Sequence, residues 1–538
     1  MIRRLPAAAW AIPALALLLT CGLFGLFEPT ETRYAEIARE MLRSGDWLVP
    51  RLNGITHFHK PPVAYWGAAA GMSVAGANEW GARLFGALAA GFILWGAVRL
   101  ARRLEGAAAA AIAPVLLAST ALFVALSRQL ATDLPLTACV VGFWVAYLDA
   151  RDRGGSRSWP LFAALALGFM TKGPVVFLHT LLPLLGAGFL ARGARVWTPL
   201  RSAGGWAFFA LLALPWYLIV VFRHEGLFTF FVADQIWARY ATTVHGRAGP
   251  WYYFAGVLAA GALPWTIAAV AELTRRARGT LAALREREPI PFETALLLSW
   301  AILPTAFFST SGSKLPAYVL PETVPIAILV GAALARSPRA FGWSAALPLL
   351  ALAAATEWFG PAALAKAVGA TMTASLALPA AAHVAVAAWV VAAFFLFAGR
   401  ARAGAWCVWA AFLACVFAVA PLDGPFGSPR ALAHLVKGAR AAEEPLVEYG
   451  EFNAGLPFYL ETHALLVEVP RDLRFEGEDG HPVVRHAAEI AALARRHGRV
   501  WLYARRGEAA ALADRLGLVA EPVATWRGRE MTVLRPME

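Results

Sequence analysis

The chain has 538 residues, of which 59% are hydrophobic and 15% are charged, with 21 tryptophans and a net charge of +13. This composition is too apolar for a soluble multidomain protein, and it indicates a polytopic membrane protein. The positive charge does not indicate nucleic acid as a partner, because the arginines collect in short segments between apolar runs, as they do in the cytoplasmic loops of membrane proteins.

About thirteen apolar runs approach the roughly 20 residues that a helix needs to cross a bilayer. They lie at residues 8–27, 84–100, 107–126, 134–148, 161–170, 175–190, 206–221, 251–271, 295–308, 318–335, 344–355, 376–397 and 405–420. If the arginine-rich loops are cytoplasmic, the N-terminus lies inside and the C-terminus lies on the outer face. We therefore expect an all-α membrane domain with about thirteen transmembrane helices.

The composition changes near residue 429, and this change predicts two domains. Residues 1–425 are expected to form the transmembrane domain, with outer loops at 28–80 and 224–250. Residues 429–538 are expected to form a small soluble α/β domain outside the cytoplasm, because short β-rich runs alternate with two helical patterns. The predicted strands are 445–449, 464–469, 499–503 and 531–534, and the predicted helices are 484–497 and 508–516.

The first outer loop, residues 28–80, concentrates the polar residues of interest. It begins with an amphipathic helical pattern, in which most charges belong to the polar face of a helix lying at the membrane surface. Glu31 and Arg33 precede this pattern, at the mouth of the first apolar run. Lys60 follows His57 and His59 and is held by two prolines, an arrangement that suits an anionic phosphate, although interfacial lysines also extend to lipid headgroups.

Five motifs stand out along the chain: Pro29-Thr-Glu-Thr-Arg-Tyr-Ala-Glu, Lys60-Pro-Pro, Ala131-Thr-Asp, Thr171-Lys-Gly-Pro and Ser311-Gly-Ser-Lys-Leu-Pro. Together they resemble the aminoarabinose lipid A transferase branch of the dolichyl-phosphate-mannose protein mannosyltransferase family. The resemblance implies a GT-C fold in the bacterial inner membrane, with the C-terminal domain in the periplasm. It also implies a polyprenyl-phosphate-linked sugar as donor and a periplasmic acceptor among the membrane lipids, which in this branch is a phosphate of lipid A.

Sugar transfer from a polyprenyl phosphate releases a phosphate monoester, so cations must stabilise the departing oxygen. Carboxylates are needed to stabilise charge at the anomeric carbon or to deprotonate a hydroxyl acceptor. The carboxylate candidates are Glu31 and Asp133. The candidates for binding the donor phosphate are Lys60, Arg33, Lys314, Lys172 and Tyr318.

Two positions depart from the family pattern. Thr30 stands where relatives usually carry Asp, and threonine preserves an N-cap but not the negative charge. If that aspartate is the base or transition-state carboxylate in the family, its role would here pass to Glu31 or Asp133 or be dispensable. The threonine therefore favours an acceptor that is already ionised, such as a phosphate, over a protein hydroxyl. His59 stands where the branch often has Glu, and with His245 it could bind zinc, although hydrogen bonding to a headgroup is the alternative.

Two other functions fit the same sequence. A related enzyme would glycosylate a secreted protein or another envelope glycan. A lipid or sugar transporter would also have many helices, but alternating access predicts paired broken helices with polar groups near the membrane midplane. Here the charges gather in the outer loops, which favours the transferase.

Overall fold

The computed structural model describes residues 7–156, 158–192, 195–242, 248–368, 374–419, 427–468 and 486–537. Its contacts divide the chain into two compact units. The helical unit comprises Met1–Cys21 and Leu84–Val419, and the mixed unit comprises Gly22–Arg83 and Ala420–Glu538. The contacts thus group the first outer loop with the C-terminal residues.

The helical unit consists of helices and connecting turns throughout its described part. The longer helices are Ala7–Thr20, Glu79–Leu104, Asp133–Asp152, Trp159–Lys172, Val175–Leu190, Ala203–Arg223, Tyr253–Gly261, Thr266–Glu286, Phe292–Ser309, Thr323–Arg336, Pro338–Val368, Ala374–Phe397 and Ala401–Val419. The short ones are Ala107–Ala110, Ala113–Ala118, Ala121–Leu126, Thr198–Leu200, Leu227–Thr229, Phe230–Ala238, Arg239–Ala241 and Pro316–Val319.

Five helices in the described residues are long and apolar enough to cross a membrane. They are Glu79–Leu104, Asp133–Asp152, Ala203–Arg223, Phe292–Ser309 and Pro338–Trp358. Further apolar helices of 10–17 residues accompany them, including Trp159–Lys172 and Val175–Leu190. The predicted all-α multi-pass architecture is confirmed, while the number of spans stays a prediction.

The predicted span at residues 107–126 is not one helix. The structure divides it into Ala107–Ala110, Ala113–Ala118 and Ala121–Leu126. Pro114 lies in the first turn of the middle helix, where its missing N–H costs no hydrogen bond. That helix then ends where the hydroxyls of Ser119 and Thr120 donate to carbonyls of its last turn, at 3.0 and 2.9 Å. The run is apolar throughout, so hydropathy alone does not reveal these breaks.

A buried carboxylate gathers arginines from two helices of the helical unit. Glu272 is fully buried, and its oxygens accept hydrogen bonds from Arg275, Arg276 and Arg336 at 2.7–2.8 Å. Arg276 also pairs with Glu105 at 2.7 Å. These contacts connect the helices Thr266–Glu286 and Thr323–Arg336 to the turn after Leu104, and they leave Glu272 well compensated.

The mixed unit begins with the helix Thr30–Ser44, which we call the first-loop helix, and a two-strand hairpin, Arg51–Leu52 with Ile55–Thr56. Its remaining elements are the helices Val63–Ala75, Arg430–Ala439, Gly455–Leu460, Ala488–His497 and Glu508–Leu516, and the strands Leu446–Tyr449, Leu465–Val467, Val500–Arg505, Leu518–Trp526 and Arg529–Pro536.

The last five strands form one sheet. Their order is Leu465–Val467, Leu446–Tyr449, Val500–Arg505, Arg529–Pro536 and Leu518–Trp526. The first three are parallel and the last two form an antiparallel hairpin. Buried side chains of the central strands pack against the two helices that follow His486, so the predicted α/β domain is confirmed. Each large apolar side chain fully buried there contributes about 1.5–3 kcal/mol.

Candidate active site

Glu31, a predicted catalytic carboxylate, lies in a buried ion pair. Arg83 donates from Nε to Glu31 Oε1 at 2.8 Å and from Nη2 to Oε2 at 2.7 Å. The remaining Arg83 donors reach the carbonyls of Phe24 and Gly25, at 2.6 and 2.9 Å. Both side chains of the pair are at most 3% exposed. The ion pair thus joins Glu31, in the first turn of the first-loop helix, to Arg83.

Sequence reasoning missed Arg83 as the partner of Glu31. The available signal was an arginine just before the long apolar run at 84–100, where a cation costs free energy unless it is paired. The amide of Phe27 also donates to Glu31 Oε2 at 3.1 Å. This bond satisfies a backbone donor that precedes the first-loop helix.

Thr30 does not have the N-cap role expected of it. The helix begins at Thr30 itself, its N-cap position is Pro29, and the cap makes no side-chain hydrogen bond. Thr30 is exposed. The capping expectation was wrong because the helix already includes Thr30, so its hydroxyl does not occupy the cap position from which it could accept a first-turn amide.

Three predicted site residues and their neighbour His57 form an electropositive group in the first outer loop. We call this set the loop group: Arg33, His57, His59 and Lys60. The rings of His57 and His59 stack with centroids 4.0 Å apart. His57 is 1% exposed, and neither of its ring nitrogens has a hydrogen-bond partner among the described residues. Burial lowers the pKa of His57 well below its usual value, and the charges of His59, Arg33 and Lys60 lower it further. His57 therefore stays neutral while the cations around it favour an anion.

The hairpin that leads to Lys60 is fixed by its turn. The residues of the turn, Asn53 and Gly54, have φ of +53° and +77°, the geometry of a two-residue type I′ turn, which Asn-Gly favours. The amide of His57 donates to the Pro50 carbonyl at 2.8 Å and closes the base of the hairpin. Lys60 follows three residues later, just before two prolines that limit its backbone.

Asp133, Lys172 and Tyr318 meet in the helical unit. Lys172 Nζ lies 2.5 Å from Asp133 Oδ1 and 4.7 Å from the centre of the Tyr318 ring. The Lys172 and Asp133 side chains are only 10% and 15% exposed. Asp133 is the first residue of its helix, where a carboxylate also interacts favourably with the helix dipole. The pair leaves a partly shielded cation and anion side by side at one helix end.

Lys314 joins the same group through an aromatic residue that sequence reasoning missed. The Phe254 ring stacks on Tyr318 with centroids 6.1 Å apart, and Lys314 Nζ lies 5.6 Å from the Phe254 ring centre. We call Asp133, Lys172, Phe254, Lys314 and Tyr318 the helix group. The only sequence signal for Phe254 was the aromatic run that begins at Trp251.

The Lys314 ammonium is largely engaged by backbone carbonyls. It donates to Ser309 at 2.9 Å and to Ser311 at 2.8 Å, at the end of the helix Phe292–Ser309. A cation at this position also compensates the negative end of the helix dipole. Burial lowers the pKa of Lys314. Of the three ammonium donors, two are thus used by the protein's own backbone.

The helical unit also contains a buried histidine–carboxylate pair, His179 and Glu322. His179 Nδ1 is 2.7 Å from Glu322 Oε1, and both side chains are at most 1% exposed. His179 belongs to the helix that follows Lys172, and Glu322 precedes the helix Thr323–Arg336. Neither residue was singled out from the sequence, although an ionisable residue within an apolar segment marks a structural or functional site.

The zinc expectation concerned His59 and His245. His245 lies outside the described residues, so the pairing of these two imidazoles stays a prediction. Among the described residues, Glu36, Glu40 and His463 are the one group whose potential ligand atoms all lie within 4.8 Å of one another. Glu36 is already bound through both oxygens by Arg39, at 2.7 Å each. Glu40 accepts the Gly54 amide through both of its oxygens.

Comparison with known proteins shows which family part of the chain resembles. The family model described as dolichyl-phosphate-mannose-protein mannosyltransferase matches residues 59–220, a segment that holds Lys60, Asp133 and Lys172. The match covers 162 of the 538 residues, from 59 to 220. The predicted resemblance is therefore confirmed on a segment that carries four of the predicted site residues, the three just named and His59.

Curated relatives of this chain are named undecaprenyl phosphate-alpha-4-amino-4-deoxy-L-arabinose arabinosyl transferase. One from Pseudomonas fluorescens is 35% identical over 338 residues, which covers 60% of this chain and 59% of the relative. One from Pseudomonas aeruginosa is 36% identical over 340 residues, covering 60% of each chain. The match thus spans about three fifths of the length of these relatives.

Solved structures give the fold over nearly the whole chain. The apo crystal structure of ArnT from Cupriavidus metallidurans aligns with a TM-score of 0.81 and 25% identity, covering 98% of this chain and 97% of ArnT. The structure of the same protein bound to undecaprenyl phosphate aligns with a TM-score of 0.80 and 24% identity. The GT-C fold expected from the family resemblance is therefore confirmed.

Proposed function

We propose that this chain is a membrane glycosyltransferase that moves 4-amino-4-deoxy-L-arabinose from undecaprenyl phosphate to a phosphate of lipid A. The observation that carries the proposal is the 35–36% identity with transferases named for this donor. The likeness to ArnT over 98% of the chain supports it. One of the ArnT crystal structures contains bound undecaprenyl phosphate, which agrees with the proposed donor.

In the proposed reaction, the bond between the anomeric carbon and the donor phosphate oxygen breaks, and an acceptor phosphate oxygen bonds to that carbon. The leaving undecaprenyl phosphate gains negative charge as it departs. We assign Lys60 and Arg33 to this charge, because the loop group carries cations beside a histidine whose depressed pKa keeps it neutral. We also assign binding of the donor phosphate to Lys172, Lys314 and Tyr318, because they belong to the family motifs and meet in the helix group.

The carboxylates have separate parts in this proposal. Asp133 is the better candidate for stabilising positive charge at the anomeric carbon, because its side chain keeps some exposure and its partner Lys172 is a single ammonium. Glu31 is assigned to holding the loop, since Arg83 occupies both of its oxygens. An ionised acceptor phosphate needs no general base, so Thr30 in place of an aspartate does not disable the reaction.

We further propose that the N-terminus is cytoplasmic and that residues 429–538 are periplasmic, in the inner membrane. The arginine distribution supports this orientation. In functional terms, residues 1–425 would hold the lipid-linked donor, and the loops at 28–80 and 224–250 would lie on the periplasmic side.

The proposal is tested by mass spectrometry of lipid A. The host should lack its own aminoarabinose transferase but keep the pathway that supplies the donor. It would receive the native chain, the Lys60→Ala variant or the Lys437→Ala variant, with expression checked by immunoblot. Lys437 is an exposed lysine that pairs with Glu461, so its variant controls for loss of a lysine elsewhere.

The expected result is a pentosamine mass increment with the native chain and with Lys437→Ala, and none with Lys60→Ala. A well-expressed native chain that leaves lipid A unmodified would overturn the lipid A assignment. Sugar found instead on a secreted protein or another envelope glycan would establish the related O-glycosyltransferase activity.

A further inference from the structure

The Asn53-Gly54 turn of the loop hairpin lies between two other parts of the mixed unit. On one side, the Gly54 amide donates to both oxygens of Glu40 in the first-loop helix, at 3.1 and 2.9 Å. On the other side, the Asn53 side chain meets the backbone of Ala464, just before the edge strand Leu465–Val467. A turn of two residues thus touches both the helix that carries Arg33 and the C-terminal domain.

The contact between Asn53 and Ala464 is a matched pair of hydrogen bonds. Asn53 Nδ2 donates to the Ala464 carbonyl at 2.9 Å, and Asn53 Oδ1 accepts from the Ala464 amide at 2.8 Å. Asn53 is fully buried and Ala464 is 2% exposed. The amide therefore pairs with Ala464 as a neighbouring strand would, satisfying both backbone groups of that residue.

Two hydrogen bonds of opposite direction fix orientation as well as distance, because only one rotation of the amide satisfies both. The hairpin continues from this turn through Ile55–Thr56 to His57 and then to Lys60. On the other side, the carboxylate of Glu40 ties the turn to the first-loop helix through the Gly54 amide. A shift of the turn would therefore move the segment that presents Lys60.

We propose that Asn53 is a positioning residue: through its paired hydrogen bonds with Ala464, the C-terminal domain holds the hairpin that presents Lys60 to the donor phosphate. This inference rests on the proposed function, since it takes Lys60 as a phosphate-binding residue. It gives the C-terminal domain a part in donor binding that requires no direct contact with the phosphate.

Two substitutions of Asn53 separate the amide from the backbone conformation. Asn53→Gly removes the amide and tolerates the φ of +53° without strain. Asn53→Asp keeps the size and the left-handed tendency of the side chain but replaces the donor by an oxygen that faces the Ala464 carbonyl. Leu512→Ala is the structural control, because Leu512 lies in the core of the C-terminal domain, on a helix away from the turn.

The test is the dissociation constant for undecaprenyl phosphate, measured on the purified full-length protein in detergent, with the apparent unfolding temperature recorded for every variant. Asn53→Gly and Asn53→Asp should each weaken binding about tenfold, as expected for the loss of a well-placed hydrogen bond or two. Leu512→Ala should lower the unfolding temperature without a comparable loss of affinity. A general loss of stability would instead weaken binding in all three variants.

The decisive comparison uses the Lys60→Ala background. If Asn53 acts through Lys60, adding Asn53→Gly to Lys60→Ala changes the affinity no further. The inference is overturned if Lys60→Ala weakens binding but Asn53→Gly does not, or if the two losses simply multiply. A native chain that does not bind undecaprenyl phosphate, or a Lys60→Ala variant that binds it normally, would instead overturn the donor assignment and this inference with it.

Discussion

Replacing Arg83 with methionine removes the counter-charge of a carboxylate that is buried at the start of the first outer loop. Four hydrogen bonds from the guanidinium are lost, two to Glu31 and one each to the carbonyls of Phe24 and Gly25. Methionine fills a similar apolar volume, so the main cost is the uncompensated charge. Breaking a buried ion pair from one side costs about 3–5 kcal/mol, and we expect a loss in this range.

The loss should lower the apparent unfolding temperature of the purified protein by about 5 °C or more. The double variant Glu31→Gln/Arg83→Met should recover at least half of it, because a neutral amide has no charge to bury and still accepts the Phe27 amide. Fluorescence-detected size-exclusion chromatography after heating measures both effects. If Arg83→Met shifts the unfolding temperature by less than about 1 °C, or if the double variant is less stable than the single one, the pair is not buried as described.

Three further predictions concern the other titratable groups. Burial and the neighbouring carboxylate of Glu36 raise the pKa of Glu40 to about 8, so the folded protein binds a proton that the unfolded chain releases near pH 4.5. Stability should therefore fall as the pH rises from about 5 to 8, and thermal scans across that range should show a flatter profile for Glu40→Gln. Asp133→Asn should lower kcat about 100-fold or more while leaving the affinity for undecaprenyl phosphate within about threefold, and equal losses in both would argue against a role at the anomeric carbon. His179→Leu leaves the Glu322 carboxylate buried without its partner and should cost about 2 kcal/mol or more in chemical denaturation, whereas His179→Gln, which keeps a donor, should cost clearly less.

The sequence allowed the element types to be predicted wherever periodicity was strong. The C-terminal helices and four of the sheet strands were found because their apolar residues follow periods of 3.6 and 2. The strand Leu518–Trp526 was missed, since its side chains alternate only weakly in burial and Pro522 lies within it. The register shift between Pro522 and Ala524 explains how the proline is accommodated at the sheet edge.

Predicting the site was harder, because its pairs join residues far apart in the chain. Motifs located Asp133 and Lys172, but only the fold brings their side chains to within 2.5 Å of each other. The same holds for Glu31 with Arg83, where the sequence shows a carboxylate at the membrane surface and an arginine before an apolar run but does not show that the two pair. Thr30 shows a different error, since the helix begins at Thr30 itself and leaves Pro29, not the threonine, at the cap position.

The arginines around Glu272 have a consequence for biosynthesis. A translocating segment is oriented by its unpaired positive charges before the helices have packed, so Arg275, Arg276 and Arg336 would count as free cations at that stage. After folding, the same guanidinium groups are bound by Glu272. Removing that carboxylate should therefore leave the orientation of the inserted chain unchanged and harm only its later maturation, so a topology reporter and a folding assay would give different answers for one substitution.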